Sequence, residues 1–191
     1  MKILHIHGPY PLRTNTFLLF GNDGHAAAID PAASEAEYLA ALKKENCVLT
    51  HIFLTHGHHD HVGAVAALRR DTGAKLVMNE ADAKLFHMTP DEVYTDGAEI
   101  YVDDMCFQVI FTPGHTPGST CLLCDELLFS GDTLFAGEIG RCDLEGGDYG
   151  MMQKSLRKLC DTVLTDVQVL PGHEEFSTMQ REKSYNPYLQ F

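Results

Sequence analysis

The sequence predicts an α/β protein of four layers, an αββα sandwich of two mixed β-sheets packed face to face with helices on the outer faces. Three observations lead there. Short apolar runs of strand length alternate with stretches of helical period in both halves of the chain. The halves pass through similar orders of elements, and no low-complexity linker divides them. Polar, glycine-containing loops bearing histidine or aspartate follow several strands, and such a sandwich would gather them along one edge.

Taken in order, Lys2 to His7 and Thr16 to Phe20 read as strands, with the turn-rich Gly8 to Arg13 between them. Ala26 to Asp30 is a short apolar strand stopped by Pro31. Ser34 with Glu37 three residues on has the capping-box pattern, and Leu39 and Leu42 carry a helix to about Glu45. His51 to Leu54 is a buried strand, and after the polar loop Thr55 to His61 the spacing of Val62, Val65, Ala66 and Leu68 predicts a helix ended by Gly73. Ala74 to Met78 is a strand and Glu80 to Phe86 a short helix. Ile100 to Val102 and Met105 to Phe111 pair around Asp103-Asp104, and Ser119 to Leu123 and Leu127 to Ser130 pair around Asp125-Glu126. Asp148 or Tyr149 opens a helix to about Cys160, Val167 to Leu170 is a strand, and Thr178 to Ser184 is a final helix.

Composition narrows the function. The 191 residues suit one domain spanning 1–191. Acidic residues outnumber basic ones 27 to 14, a formal net charge of −13. Phosphate backbones are held by lysine and arginine, so no nucleic-acid partner is expected. No run approaches the roughly 20 apolar residues of a membrane span, and the amino terminus lacks a signal-peptide pattern, which predicts a cytoplasmic protein without membrane association. Of six cysteines only Cys121 and Cys124 form a C-x-x-C. They lie in a strand, where positions three apart face opposite ways, so they read as buried thiols rather than a redox pair.

The chemistry is concentrated in Thr55-His56-Gly57-His58-His59-Asp60-His61. Four histidines and an aspartate in six residues offer nothing to an apolar core, but imidazole and carboxylate are the ligands that zinc and iron take. Residues two apart in a tight loop point the same way, so His56 and His58 suit one ion, and Asp60 and His61, at the mouth of the helix, a second. His115 sits between Pro113-Gly114 and Pro117-Gly118, Asp132 in Gly131-Asp132-Thr133 and His173 in Pro171-Gly172-His173, each after a strand. Any one of these alone would be an ordinary turn residue. Together they place seven ligand-type side chains at four strand ends.

In these residues the chain resembles the metallo-β-lactamase-fold hydrolases. The H-x-H-x-D-H signature stands as His56, His58, Asp60 and His61, with His115, Asp132 and His173 as its later partners. Gly131 to Gly137, Ile139-Gly140-Arg141, Gly146 to Tyr149 and Pro171 to His173 resemble the short bacterial relatives of type II glyoxalase, the hydroxyacylglutathione hydrolases; the likeness covers Thr14 to Pro187. It implies two divalent metal ions, zinc in the first place with iron or manganese as alternatives. One would take His56, His58 and His115, the other Asp60, His61 and His173, with Asp132 bridging. It further implies a thioesterase that cleaves a small-molecule thioester such as S-lactoylglutathione through a metal-bridging hydroxide. Asp60 would orient that nucleophile and take its proton, and Arg141 would anchor substrate. His59 fills a variable slot and is expected to point away, while His5, His7, His25, His51 and His87 are assigned to surface or core. The chain stops at Phe191 without the helical carboxy-terminal domain that holds glutathione in longer glyoxalases, which leaves room for another thiol carrier.

A rival reading of a different class is a mononuclear iron persulfide dioxygenase, whose family also carries Gly-Arg with Asp two residues after the Arg, here Gly140-Arg141 and Asp143. It would use His56, His115 and Asp132. The full set of second-site residues argues for hydrolysis instead. A non-catalytic metal-binding module fits poorly with intact ligand positions. β-Lactam cleavage is disfavoured by Asp132, where those enzymes prefer cysteine, and nuclease activity by the acidic charge.

Overall fold

Along the second strand Phe17 and Leu19 face one way and Leu18 and Phe20 the other, and all four are buried. A strand covered on both faces belongs to an inner layer. The computed structural model, which describes residues Met1 to Phe191, supplies both covers. Six strands form a first sheet in sequence order: β1 (Lys2–His7), β2 (Asn15–Phe20), β3 (His25–Ile29), β4 (Val48–Phe53), β5 (Lys75–Met78) and β6 (Glu92–Val93). Its first pairings are antiparallel, and those from β3 to β6 are parallel. The second sheet runs β12 (Ser177–Thr178), β11 (Gln168–Pro171), β10 (Leu127–Gly131), β9 (Thr120–Cys124), β8 (Met105–Phe111), β7 (Glu99–Val102), with β10 and β11 its one parallel pair.

Three apolar clusters occupy the three spaces between four layers. Phe17, Ile29, Phe53, Phe107, Val109 and Phe129 fill the space between the sheets. The outer face of the first sheet meets α1 (Glu35–Glu45), α2 (Val65–Thr72) and α3 (Glu80–Leu85) through Tyr38, Leu42, Leu68 and Ala83. That of the second meets α4 (Tyr149–Thr162) and α5 (Met179–Tyr185) through Met152, Leu156, Leu159 and Met179. The αββα sandwich read from the sequence is the observed fold. Cys121 lies in the outer cluster and Cys124 in the inner one, on opposite faces of β9. No helix is long and apolar enough to cross a membrane.

Local departures from the sequence reading have physical causes. The helix after the histidine loop begins at Val65, not Val62, so Asp60 and His61 sit in a turn ahead of it. Ser34 occupies the N-cap of α1, but its hydroxyl donates to the Glu37 carboxylate at 3.0 Å rather than capping a backbone N–H. Asp30 leaves strand geometry with φ of 46°. The two-residue strands β6 and β12 and the single turn Pro187–Leu189 are too short to show a periodicity.

Candidate metal centre

The polar loops meet above the carboxyl ends of the central strands. The loop after β4 carries His56, His58, Asp60 and His61, while His115, Asp132 and His173 follow β8, β10 and β11. The structure brings all seven together. Ligand atoms of His56, His58 and His115 lie within 4.8 Å of one another, and so do those of Asp60, His61 and His173. Asp132 stands between the triads: its Oδ2 is 3.4 Å from Nε2 of His115 and 3.7 Å from Nε2 of His173, and its Oδ1 is 3.5 Å from Nε2 of His61. Asp60 Oδ2 is 3.1 Å from His173 Nε2.

The outer nitrogens decide which atoms face inward. His115 Nδ1 donates to the Arg141 carbonyl at 2.7 Å, His173 Nδ1 to the Leu12 carbonyl at 3.2 Å, and His61 Nδ1 to the Asp30 carboxylate at 2.9 Å. A ring that donates through Nδ1 presents Nε2 with its lone pair. His56 Nδ1 lies 3.1 Å from Thr55 Oγ1, and its buried Nε2 has no hydrogen-bond partner. His58 is turned the other way, with Nδ1 2.9 Å from His115 Nε2. Five ring nitrogens therefore converge on a centre where Asp132 Oδ1 is likewise buried and unpaired. Buried polar atoms without partners are costly, and nitrogen and carboxylate donors in this arrangement are what a cation would satisfy. The residues present fit two metal ions.

Electrostatics separates the triads. Burial, reinforced by the neighbouring imidazoles, holds His56 well below the usual histidine range and His58 down to about 4, so both are neutral donors near pH 7. Burial pushes His61 the same way, but Asp132, Asp30 and Asp60 outweigh it and raise it to about 9. His173 is raised by Asp60 and Asp132 against its own burial. Burial would lift Asp60, yet His173 and His61 keep it well below the carboxylate range.

Several supports were not legible in the sequence. Asp30 accepts from Thr55 N (2.8 Å), Thr55 Oγ1 (2.5 Å) and His61. It also groups with His56 and His61 within ligand distance, but its oxygens are already engaged and it faces the outer side of the His61 ring. An aspartate ending an apolar run was the available signal. Asn15 Nδ2 donates to the carbonyls of Pro171 and Glu174, both at 3.0 Å, and its backbone N–H to that of Gly172 at 2.6 Å, so it grips the turn bearing His173. His5 bonds Asn15 Oδ1 at 2.8 Å. Asp82 ties the loops together through Gly57 N, Thr116 Oγ1 and Gly118 N. Gly172 is required on steric grounds, because a Cβ there would press into Asp132 Oδ1 and sit 2.6 Å from His61 Cε1.

Over the centre opens a cavity of about 540 Å³, walled by Leu12, Phe135, Ile139 and Leu144. Arg141 lines it with its Nε and Nη2 paired to Asp143 at 2.7 and 2.8 Å. His59 is exposed at the rim, its ring 88% accessible, and does not join the inward-facing nitrogens.

Residues 9–173 match the model of the Metallo-beta-lactamase superfamily. The hydroxyacylglutathione hydrolase GloC of Haemophilus influenzae is 31% identical, over 92% of each chain. The crystal structure of the BLEG-1 B3 metallo-beta-lactamase aligns over the whole of both chains at 29% identity with a TM-score of 0.88. TTHA1623, solved in a di-iron-bound form, aligns over 97% of this chain and all of its own at 30% identity with a TM-score of 0.84.

Proposed function

This chain belongs to the metallo-beta-lactamase superfamily, and from that premise we propose that it is a thioesterase that hydrolyses a small acyl thioester, of the S-lactoylglutathione kind, at a dinuclear centre. The observation that carries the reading is the pair of triads with Asp132 between them, each turning ring nitrogens inward. The relative from H. influenzae, named a hydroxyacylglutathione hydrolase, supports the substrate class, and the di-iron form of TTHA1623 supports two ions. His56, His58 and His115 would hold one ion, Asp60, His61 and His173 the other, and Asp132 both. When bound, two divalent cations supply a nucleophile from water at neutral pH and polarise a carbonyl.

The chain's own residues do the rest. Asp30, Leu12 and Arg141 fix the tautomers of His61, His173 and His115 through their outer nitrogens, so the donor atoms are in place before substrate arrives. Asp60, kept ionised and accepting from Thr14 Oγ1 at 3.2 Å, would orient the attacking water, take its proton and give it up to the thiolate once the carbon–sulfur bond has broken. Arg141 keeps Nη1 clear of Asp143 and would hydrogen-bond an oxygen of the acyl group. The leaving thiolate needs no acid, and no serine or cysteine nucleophile is needed.

Zinc is the proposed metal, with iron and manganese as the other candidates. Purified protein should carry about two metal ions per chain and split a lactoyl thioester, losing turnover to a chelator and regaining it on metal addition. His173→Ala should leave about one ion. A doubly loaded enzyme inert towards a broad thioester panel would remove this reading. A chromogenic β-lactam should be assayed alongside that panel because of the BLEG-1 likeness. One iron per chain with oxygen uptake would favour the persulfide dioxygenase, a reading that leaves the converging Asp60, His61 and His173 unused.

A further inference from the structure

We infer that the cavity selects thioesters whose thiol portion is uncharged and partly apolar, and works against carriers that bear carboxylates; the inference rests on the thioester reading above. The floor and the rim carry opposite signs. Cations held by the two triads would make the floor positive and attractive to a polarised carbonyl. At the rim stand Glu138 and Glu174, and neither is paired with a lysine or arginine. The rim's one permanent cation, Arg141, is matched by Asp143 through two short bonds, so the pair presents no net charge to an incoming anion.

These carboxylates are not on wandering loops. Glu174 sits at φ of 65°, with its carbonyl held by Asn15. The carbonyl of Glu138 is held by Asn186 Nδ2 at 3.1 Å and by Phe135 N at 3.0 Å. Between floor and rim the walls offer the side chains of Leu12, Phe135, Ile139 and Leu144. A tail that fills this passage is desolvated against carbon and meets carboxylates as it leaves. The field of the whole molecule adds to this, since two divalent ions offset less than a third of a formal charge of −13. An anionic tail has one attractive place to go, the positive floor, and there it would displace the carbonyl and bind unproductively.

The test compares two S-lactoyl esters that share an acyl group, one of glutathione and one of N-acetylcysteamine, on metal-loaded protein at low and moderate ionic strength. The expected kcat/KM is at least tenfold higher for the uncharged ester, and the gap narrows as salt screens the rim. In Glu138→Gln/Glu174→Gln the ratio moves at least threefold towards the glutathione ester. Calorimetric binding of the non-hydrolysable S-hexyl thioethers of the same two thiols should rank them in the same order. Equal or better turnover of the glutathione ester, or a ratio unmoved by the double substitution, overturns the inference while leaving thioester hydrolysis in place. If neither ester turns over, the thioester reading falls and takes this inference with it.

Discussion

Oδ2 of Asp30 lies 2.9 Å from Nδ1 of His61, with both side chains buried. The carboxylate orients a ring whose far nitrogen points into the centre, and through Thr55 it also anchors the start of the histidine loop. Asp30→Ala should strip His61 and Thr55 of these partners and cost about 1–3 kcal/mol of stability. Affinity for the ion assigned to Asp60, His61 and His173 should drop about 10–100-fold. Chelator competition that releases both ions of the variant at wild-type concentrations would contradict this.

Asn15 should behave as a clamp on the His173 turn. Asn15→Ala leaves the carbonyls of Pro171 and Glu174 without their donor, at a cost of about 1–3 kcal/mol. Asn15→Asp should be worse, since a carboxylate would face two carbonyl oxygens. Urea denaturation with metal content measured in parallel checks both, and unchanged midpoints and stoichiometry would refute the role.

At Gly172 a single methyl group should be enough to disturb the centre. Gly172→Ala drives a Cβ against Asp132 and His61, and crowding of this kind typically costs about 1–3 kcal/mol. The expected signature is a metal content below one ion per chain with the circular dichroism of the wild type. Full metal content would show that the turn yields more readily than its packing implies.

Thiol chemistry gives a prediction with a definite pH sign. Burial raises Cys121 to about 11 and Cys124 to about 12. The thiolate is the reactive form, so at pH 8 roughly one Cys121 in a thousand is ionised. Native protein at pH 8 should therefore lose at most four of its six thiols to an alkylating reagent, with the last two reacting only in denaturant. Labelling of all six in the native state, or a Cys121–Cys124 disulfide, would show these thiols to be accessible.

The inward-facing residues and the layer order were legible because each is written locally. His56, His58, Asp60 and His61 fall within one short loop, and each later partner follows an apolar run and a glycine turn. The supporting residues were not, because their meaning lies in distant partners. Asn15 acts on a turn more than 150 residues away, and Asp30 reads as the end of a strand until His61 is folded onto it. The late start of α2 escaped periodicity because Val62 packs against the same cluster as the helix without joining it. The rim charges were invisible for a further reason: nothing in the spacing of Glu138 and Glu174 shows that one cavity joins them.

Each triad takes two members from the loop of the first sheet and one from the second, and Asp132 also comes from the second. Neither half of the chain can assemble either of these two triads by itself. Metal loading is therefore also a fastening of one sheet to the other across the mouth of the sandwich, and withdrawing the ions should loosen that seam before it disturbs either sheet.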